Sequence, residues 1–251
     1  MNKRGVLLLA LLAAALCPAA AQFTPTAQNA REGALGGCLV SLPSNQTFVD
    51  ISWRQGFLAA GMATKKLNVS LPLGHRGITT VRYSHFGDGA YHEQQATAGI
   101  GMAVNEWLTA GVYAIYSNIG TNDAHYDSQH WLDGGIALQT VASKTFSAYL
   151  TANSRRWSTT RPIGGRLGAT YRPTDGLLTV AELAADEFTR FRCGMEYTYE
   201  HHLAARIGLA TNPLKMTFGM GYSDSHYHID FATEVHPTLG LSPQISLGLC
   251  L

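Results

Sequence analysis

From about residue 47 to the end of the chain, apolar and polar side chains alternate with period 2, the spacing that sends successive side chains to opposite faces of a β-strand. Met216, Phe218, Met220 and Tyr222 share one face while Thr217, Gly219 and Gly221 share the other. Tyr227, Ile229, Phe231, Thr233 and Val235 alternate with His228, Asp230, Ala232, Glu234 and His236, and Leu203, Ala205, Ile207 and Leu209 with Arg206, Gly208 and Ala210. Cys193, Met195, Tyr197 and Tyr199 oppose Arg192, Gly194, Glu196, Thr198 and Glu200; upstream, Ala98, Ile100, Met102 and Val104 oppose Thr97, Gly99, Gly101 and Ala103. Such runs predict about 14 strands, centred near residues 52, 66, 81, 99, 113, 136, 149, 167, 181, 195, 207, 219, 231 and 247.

Alternation alone fits a soluble sandwich as well as a barrel, so the connections decide. Asn105-Glu106-Trp107, Ala142-Ser143-Lys144, Pro173-Thr174-Asp175-Gly176 and Glu200-His201-His202 read as tight turns, and longer polar links run from His85 to Glu93, Asn118 to His130 and Asn153 to Pro162. Long and short links alternate through the middle of the chain, as in an outer-membrane barrel with extracellular loops and periplasmic turns. The expected fold is all-β: a transmembrane antiparallel β-barrel of about 14 strands over residues 47–251, with a short N-terminal plug. One face is aliphatic and aromatic and suits lipid; the other mixes Gly, Ala and Thr with charge and suits a lumen. Charges are expected on the inward face, with Arg192, Glu196, Arg206, Asp230 and Glu234 pointing into the lumen. On that reading Ile207→Glu, which puts a carboxyl against acyl chains, harms assembly more than Arg206→Gln.

Residues 22–46 do not alternate. They hold Pro25, Gly33, Gly36, Gly37 and Pro43 around a helical-looking stretch, Ala27 to Leu35, and form a plug or a periplasmic extension. Arg31 and Glu32 are candidates to latch such a plug to the wall, surface solvation being the alternative. Before them, Lys3 and Arg4, an apolar run from Val6 to Leu16 and Ala19-Ala20-Ala21 read as a signal peptide of residues 1–21. Its apolar run is too short for the roughly 20 residues a membrane helix needs. Without Lys3 and Arg4 the 18 basic residues become 16 against 17 acidic ones, so no basic excess invites nucleic acid. Only 14% of residues are charged, against about 25% in a typical soluble domain, which favours a chain housed in a membrane. Cys38, Cys193 and Cys250 remain after the signal, leaving either one disulfide plus a thiol or three thiols.

Candidate chemistry is sparse. His226, His228 and Asp230, with Glu234 and His236 beyond, could ligate a metal, but no tight ligand spacing accompanies them, and pairing with inward arginines is the simpler role. No metal or cofactor is expected. His201-His202 falls in a turn, where histidines are ordinarily solvated. Ser84-His85 and Ser225-His226 put a nucleophile beside a base, yet neighbours in a strand face opposite ways, so neither pair is expected to meet and no catalytic residue is assigned. Trp53, Trp107, Trp131 and Trp157 suit a membrane-interface belt.

The stretch Ala30-Arg31-Glu32-Gly33-Ala34-Leu35-Gly36-Gly37 resembles the "ARxxALGG" signature of Bacteroidetes outer-membrane proteins related to the FadL transporters, a group that includes PorV and PorQ of the type IX secretion system. Ala205-Arg206-Ile207-Gly208-Leu209, Phe218-Gly219-Met220-Gly221-Tyr222, Ile229-Asp230-Phe231-Ala232, His236-Pro237-Thr238-Leu239-Gly240 and Ile245-Ser246-Leu247 are similar in order and spacing to that group's C-terminal elements. The resemblance covers about the first 20 mature residues and the last 60; it implies a barrel of 14 strands with an N-terminal plug. The Asn-Pro-Ala element that usually follows the signature is replaced by Pro43-Ser44-Asn45-Gln46-Thr47-Phe48, so the architecture is carried over and a particular activity is not. The expected function is passage of a small or apolar solute through the outer membrane, or an accessory role at a secretion complex. Expected partners are outer-membrane lipid, the outer-membrane assembly machinery, and a secretion-system component or an apolar ligand. A secreted soluble β-sandwich or adhesin and an outer-membrane lipid-modifying enzyme are the alternatives.

Overall fold

The computed structural model describes residues 27–40, 46–122, 127–156, 158, 162–186 and 188–251. The predicted signal peptide lies outside them, as does Trp157. Among the described residues one short α-helix, α1 (Ala30–Ala34), precedes fourteen strands: β1 (Phe48–Gln55), β2 (Ala63–Leu73), β3 (Gly77–Gly87), β4 (Tyr91–Ala103), β5 (Leu108–Thr121), β6 (Gln129–Val141), β7 (Phe146–Ser154), β8 (Ile163–Thr174), β9 (Leu177–Ala185), β10 (Thr189–Tyr199), β11 (Leu203–Ala210), β12 (Lys215–Ser223), β13 (Tyr227–His236) and β14 (Gly240–Cys250). Each strand pairs antiparallel with the next, and β1 pairs with β14 from Phe48↔Cys250 to Arg54↔Gln244, closing the barrel without a free edge. Every predicted strand centre falls inside its strand.

The alternation sorts side chains as the polar and apolar patterns require. Ile51, Leu67, Val81, Ile100, Val112, Leu132, Leu150, Leu167, Met195, Ile207, Met220 and Leu247 are exposed on the outside, while Asp50, Asn68, Glu182, Arg192, Glu196 and Asp230 are buried on the inside. Aromatic residues collect at one rim of the apolar band: Trp107, Phe146, Tyr171, Tyr197, Tyr199, Tyr222 and Tyr227 are all exposed there. Trp53 is exposed on the outer face of β1, as a belt residue should be. Trp131 is not a belt residue: it shares the parity of buried Asp133 and lies half-buried on the inward side of β6. One further departure concerns Lys65, which is exposed on the outer face of β2, so charge is not confined to the lumen.

The links at one end are 56–62, 88–90, 122–128, 155–162, 186–188, 211–214 and 237–239; at the other they are 74–76, 104–107, 142–145, 175–176, 200–202 and 224–226. Links of seven or eight residues therefore occur at the first end only. The expected long link from His85 to Glu93 is instead three residues, because Gly87 at φ +95° turns the chain where a Cβ would stand 2.1 Å from Tyr91 O. Pro173 and Thr174 belong to β8 rather than to the turn, and the register shift between Tyr171 and Thr174 accommodates a proline that cannot donate to the ladder.

Candidate functional site

The inward wall of β10–β12 carries a glycine where each strand passes residues 34–36, at the end of α1: Gly194, Gly208 and Gly219. A Cβ at Gly194 would lie 2.7 Å from Leu35 Cα, one at Gly208 2.3 Å from Gly36 N, and one at Gly219 2.5 Å from Ala34 Cβ. The N-terminal segment thus rests on bare backbone inside the barrel. Its own sequence answers in kind, since Ala30 and Ala34 are fully buried and a Cβ on Gly36 would meet Leu209 O at 2.6 Å and Cys193 O at 2.8 Å.

Local chemistry fixes the shape of this plug. Asn29 caps α1 by accepting from Glu32 N at 3.0 Å, and the Glu32 carboxylate reaches back past the cap to accept from Gln28 N at 2.8 Å. Gly36 and Gly37, at φ +74° and +83°, end the helix, and Gly37 N donates to Glu32 O at 2.9 Å. The helix is accordingly shorter than the predicted Ala27 to Leu35, bounded by its cap and its glycines. Beyond it, Leu35 and Cys38 pack on Leu178 and Val180 of β9. Burial pushes the Cys38 thiol far above its ordinary range, and it is free, as are Cys193 and Cys250.

Around this seat runs a chain of alternating charges. Arg31 grips Glu196 through both Nε (2.8 Å) and Nη2 (2.7 Å); Glu196 also accepts from Arg206 Nε at 2.6 Å, and Arg206 Nη1 donates to Asp230 at 2.6 Å. On the far side of Asp230, His228 lies 3.3 Å from Asp50 and stacks on Phe48 at 5.2 Å. Glu182 gathers Arg192 Nη1 (2.8 Å), Leu39 N (3.1 Å) and Tyr149 OH (2.5 Å), while Arg192 also donates to Gly37 O at 3.2 Å. Glu234 accepts from Arg54 at 3.0 Å and Lys215 at 2.9 Å, apart from the plug. Gly36 N donates to Thr217 Oγ1 at 3.0 Å, and that hydroxyl donates to Ala34 O at 2.8 Å.

Arg192, Glu196, Arg206 and Asp230 are therefore buried inward and joined to the plug or to one another, and Arg31 is the plug's own contribution. Glu32 faces away from this network. Burial raises its carboxyl above the ordinary range, opposed by the N–H groups of Gln28 and Val40 and by Arg82 and Arg166 across the lumen. Sequence alone did not single out Gly194, Gly208, Gly219, Glu182 or Thr217, because their role depends on register with a segment about 140–190 residues away.

The histidine and carboxylate candidates go separate ways. His226 sits in the 224–226 turn, His228 faces Asp50, Asp230 takes Arg206, and His236 accepts from Thr238 N and Leu239 N. No group of three or more His, Cys, Asp or Glu suited to a metal occurs among the described residues. Ser84 and His85 face opposite ways on β3. The expectation fails for Ser225 and His226, whose Oγ and Nδ1 are 2.8 Å apart: strand alternation does not apply inside a turn.

The remaining half of the lumen is different in kind. Inward side chains of β1, β2 and β9–β14 are mostly buried, whereas Thr80, Arg82, Thr97, Tyr113, Ala137, Tyr149, Thr151 and Arg166 of β3–β8 are half-buried. Tyr113 lies over Gly135 and Tyr149 over Gly168, their cross-strand partners, where a Cβ would come within 2.3 Å of each ring. The rings thus lie flat on the wall instead of filling the lumen. Arg82 donates only from Nε, to Asn68 at 3.4 Å, and Arg166 Nη1 stands 4.0 Å from Glu182, so both guanidinia keep free donors among the described residues.

No protein-family model and no curated protein matches the sequence. Solved structures do match: the CymD monoaromatic hydrocarbon channel with a TM-score of 0.65 at 10% identity, over 91% of this chain and 97% of that one. The Ralstonia pickettii toluene transporter TbuX follows at 0.61 and 12%, over 91% and 98%. A Pseudomonas aeruginosa FadL homologue gives 0.65 and 10%, over 90% and 98%. The fold is that of the FadL-like outer-membrane barrels. At such identities the likeness is one of fold alone.

Proposed function

We propose that this protein resides in the outer membrane and passes a small solute along the β3–β8 side of its lumen, beside a plug fixed to the opposite wall. The observation that carries this reading is the division of the inward face into a buried half under the plug and a half-buried, accessible half. Ile78, Ile115 and the flat rings of Tyr113 and Tyr149 offer contact to an apolar part of a solute; Thr80, Thr97, Thr151, Arg82 and Arg166 offer hydrogen bonds to a polar part. The hydrocarbon cargo named for CymD and TbuX supports the apolar component. The N-terminal signature that suggested a secretion-complex accessory is occupied here in seating the plug, so it speaks for the architecture rather than for that partner.

The test is purification, reconstitution in planar bilayers and swelling of vesicles in small solutes. Protein that stays compact on unheated gels is expected to give single-channel steps and to admit solutes. Folded protein that carries no current and admits nothing overturns the reading.

A further inference from the structure

The outer face of β2–β6 at the end with the longer links carries a row of polar side chains. Lys65 of β2 stands directly across from His85 of β3, and the rings of His85 and His92 stack at 6.0 Å. Gln94 lies across from His85 on one side and Asn118 on the other, and Asn118 lies across from His130. The His130 Nδ1 atom is 2.9 Å from Asn118 Nδ2 and 2.7 Å from Tyr116 OH. One outward step toward the other end of each strand stand Leu67, Tyr83, Ala96, Tyr116 and Leu132, so the row borders the apolar band. On the opposite side of the same rim the outward residues are mostly apolar, among them Leu183, Phe188, Phe191, Leu214, Met216 and Leu241.

No Asp or Glu occupies an outward position in this row. Glu93 belongs to the inward parity of β4, and Asp88 and Asp127 lie in the links above. The Lys65 ammonium has no hydrogen-bond or ion-pair partner among the described residues, although it stands where the surface turns apolar. A cation at that level is favoured when the surrounding lipid supplies the counter-charge.

We propose that Lys65, His85 and His92, with Gln94 beside them, bind the phosphate of an anionic lipid headgroup in the leaflet at the long-link end. This rests on the outer-membrane reading and is independent of solute passage, because the row faces away from the lumen. The ammonium supplies charge, and the imidazole and amide N–H groups supply directed donors to the phosphate oxygens. β5 continues three residues beyond Asn118, while β4 and β6 end one residue past His92 and His130, so the row lies at the rim of the barrel wall, at the level of a headgroup.

The full chain, folded in detergent, is incubated with lipid A or with lipid A stripped of its phosphates, and the lipid retained through gel filtration is weighed by mass spectrometry. Phosphorylated lipid is expected to be retained in preference. Lys65→Gln should weaken retention about fivefold, the worth of one cation near an anionic surface, and the triple variant Lys65→Gln/His85→Gln/His92→Gln should abolish the preference. Gel mobility without heating and single-channel current should stay unchanged in both, which separates this site from the channel reading. Equal retention of the two lipids, or an unaltered preference in the folded triple variant, overturns the proposal. Displacement by equimolar inorganic phosphate overturns it too, since that would make the row a simple anion site.

Discussion

Replacing Gly208 by Ala tests whether the plug is held by contact with bare backbone. The added methyl would lie 2.3 Å from Gly36 N and 2.6 Å from both Leu35 C and Thr217 Oγ1. Two of those atoms are main chain and cannot rotate away. The third is the hydroxyl that bonds both Ala34 O and Gly36 N. If the plug stays, overpacking costs about 1–3 kcal/mol; if it lifts, the two Thr217 bonds are lost at about 0.5–1.5 kcal/mol each. Both routes weaken docking by about 1–3 kcal/mol, roughly 5- to 150-fold in the docking equilibrium. In detergent-folded protein this should appear as faster tryptic cleavage at Arg31 and larger single-channel currents, with barrel mobility on unheated gels unchanged. Gly101→Ala is the control: it too faces inward, but its nearest neighbours would be Ile78 Cγ2 at 3.3 Å and Thr109 Cγ2 at 3.9 Å. Protection and currents equal to those of the unaltered protein in Gly208→Ala would refute the glycine seat.

Arg206→Gln should lower the folded fraction after refolding into vesicles more than Ile207→Glu. The first leaves Asp230 and Glu196 short of a buried partner, a loss of about 3–5 kcal/mol, whereas the second costs less than the ~2–4 kcal/mol of a lipid-facing Arg or Lys; the reverse order of yields would sink this ranking. Currents in a salt gradient should favour anions, because Arg82 and Arg166 keep donors open on the accessible half of the lumen, whereas Asp133 there is buried and accepts from Ser154 Oγ and Arg156 N, Glu93 lies near the long-link rim, and burial raises the carboxyl of Glu32. Arg82→Gln should then move the reversal potential toward zero, and a cation preference in the unaltered protein would contradict it. In intact cells, an impermeant maleimide should label Asp127→Cys in the 122–128 link and spare Ser143→Cys in the 142–145 turn; the opposite pattern would invert the topology.

The strands were legible because each of them separates an apolar outward face from a polar inward one, and period 2 records that separation directly. The same parity identified the inward charges. What parity cannot supply is register. Glu196 and Arg31 are separated by 165 residues, and nothing local marks them as partners. Arg206 looked like one charge in a polar space, and only its two carboxylate neighbours turn its removal into a large loss. Gly194, Gly208 and Gly219 read as small residues on a polar face, since a glycine's pattern does not say what approaches it. Parity also misleads at strand ends. Residue type alone suits Trp131 to the belt, yet it shares the parity of Asp133, and Ser225 and His226 meet because a turn suspends the alternation. Lys65 shows that the outward face tolerates charge once it passes the apolar band.

The plug seat also bears on how the closing strands find each other. α1 packs mainly on β12 and β13 and also meets β14, the last strands of the chain to be made, and Ala30 N donates to Ser246 Oγ of β14 at 3.2 Å. A plug that docked before the cylinder shut would hold the start of the chain against its final strand. Pairing Phe48 with Cys250 in a free chain closes a loop of about 200 residues, whereas from the tethered Ala30 only about 18 residues remain to be closed. The loop-entropy saving, growing as three halves of the logarithm of that ratio, is about 2 kcal/mol, so the same 14-residue segment that occupies the finished lumen would, if docked first, splint the seam.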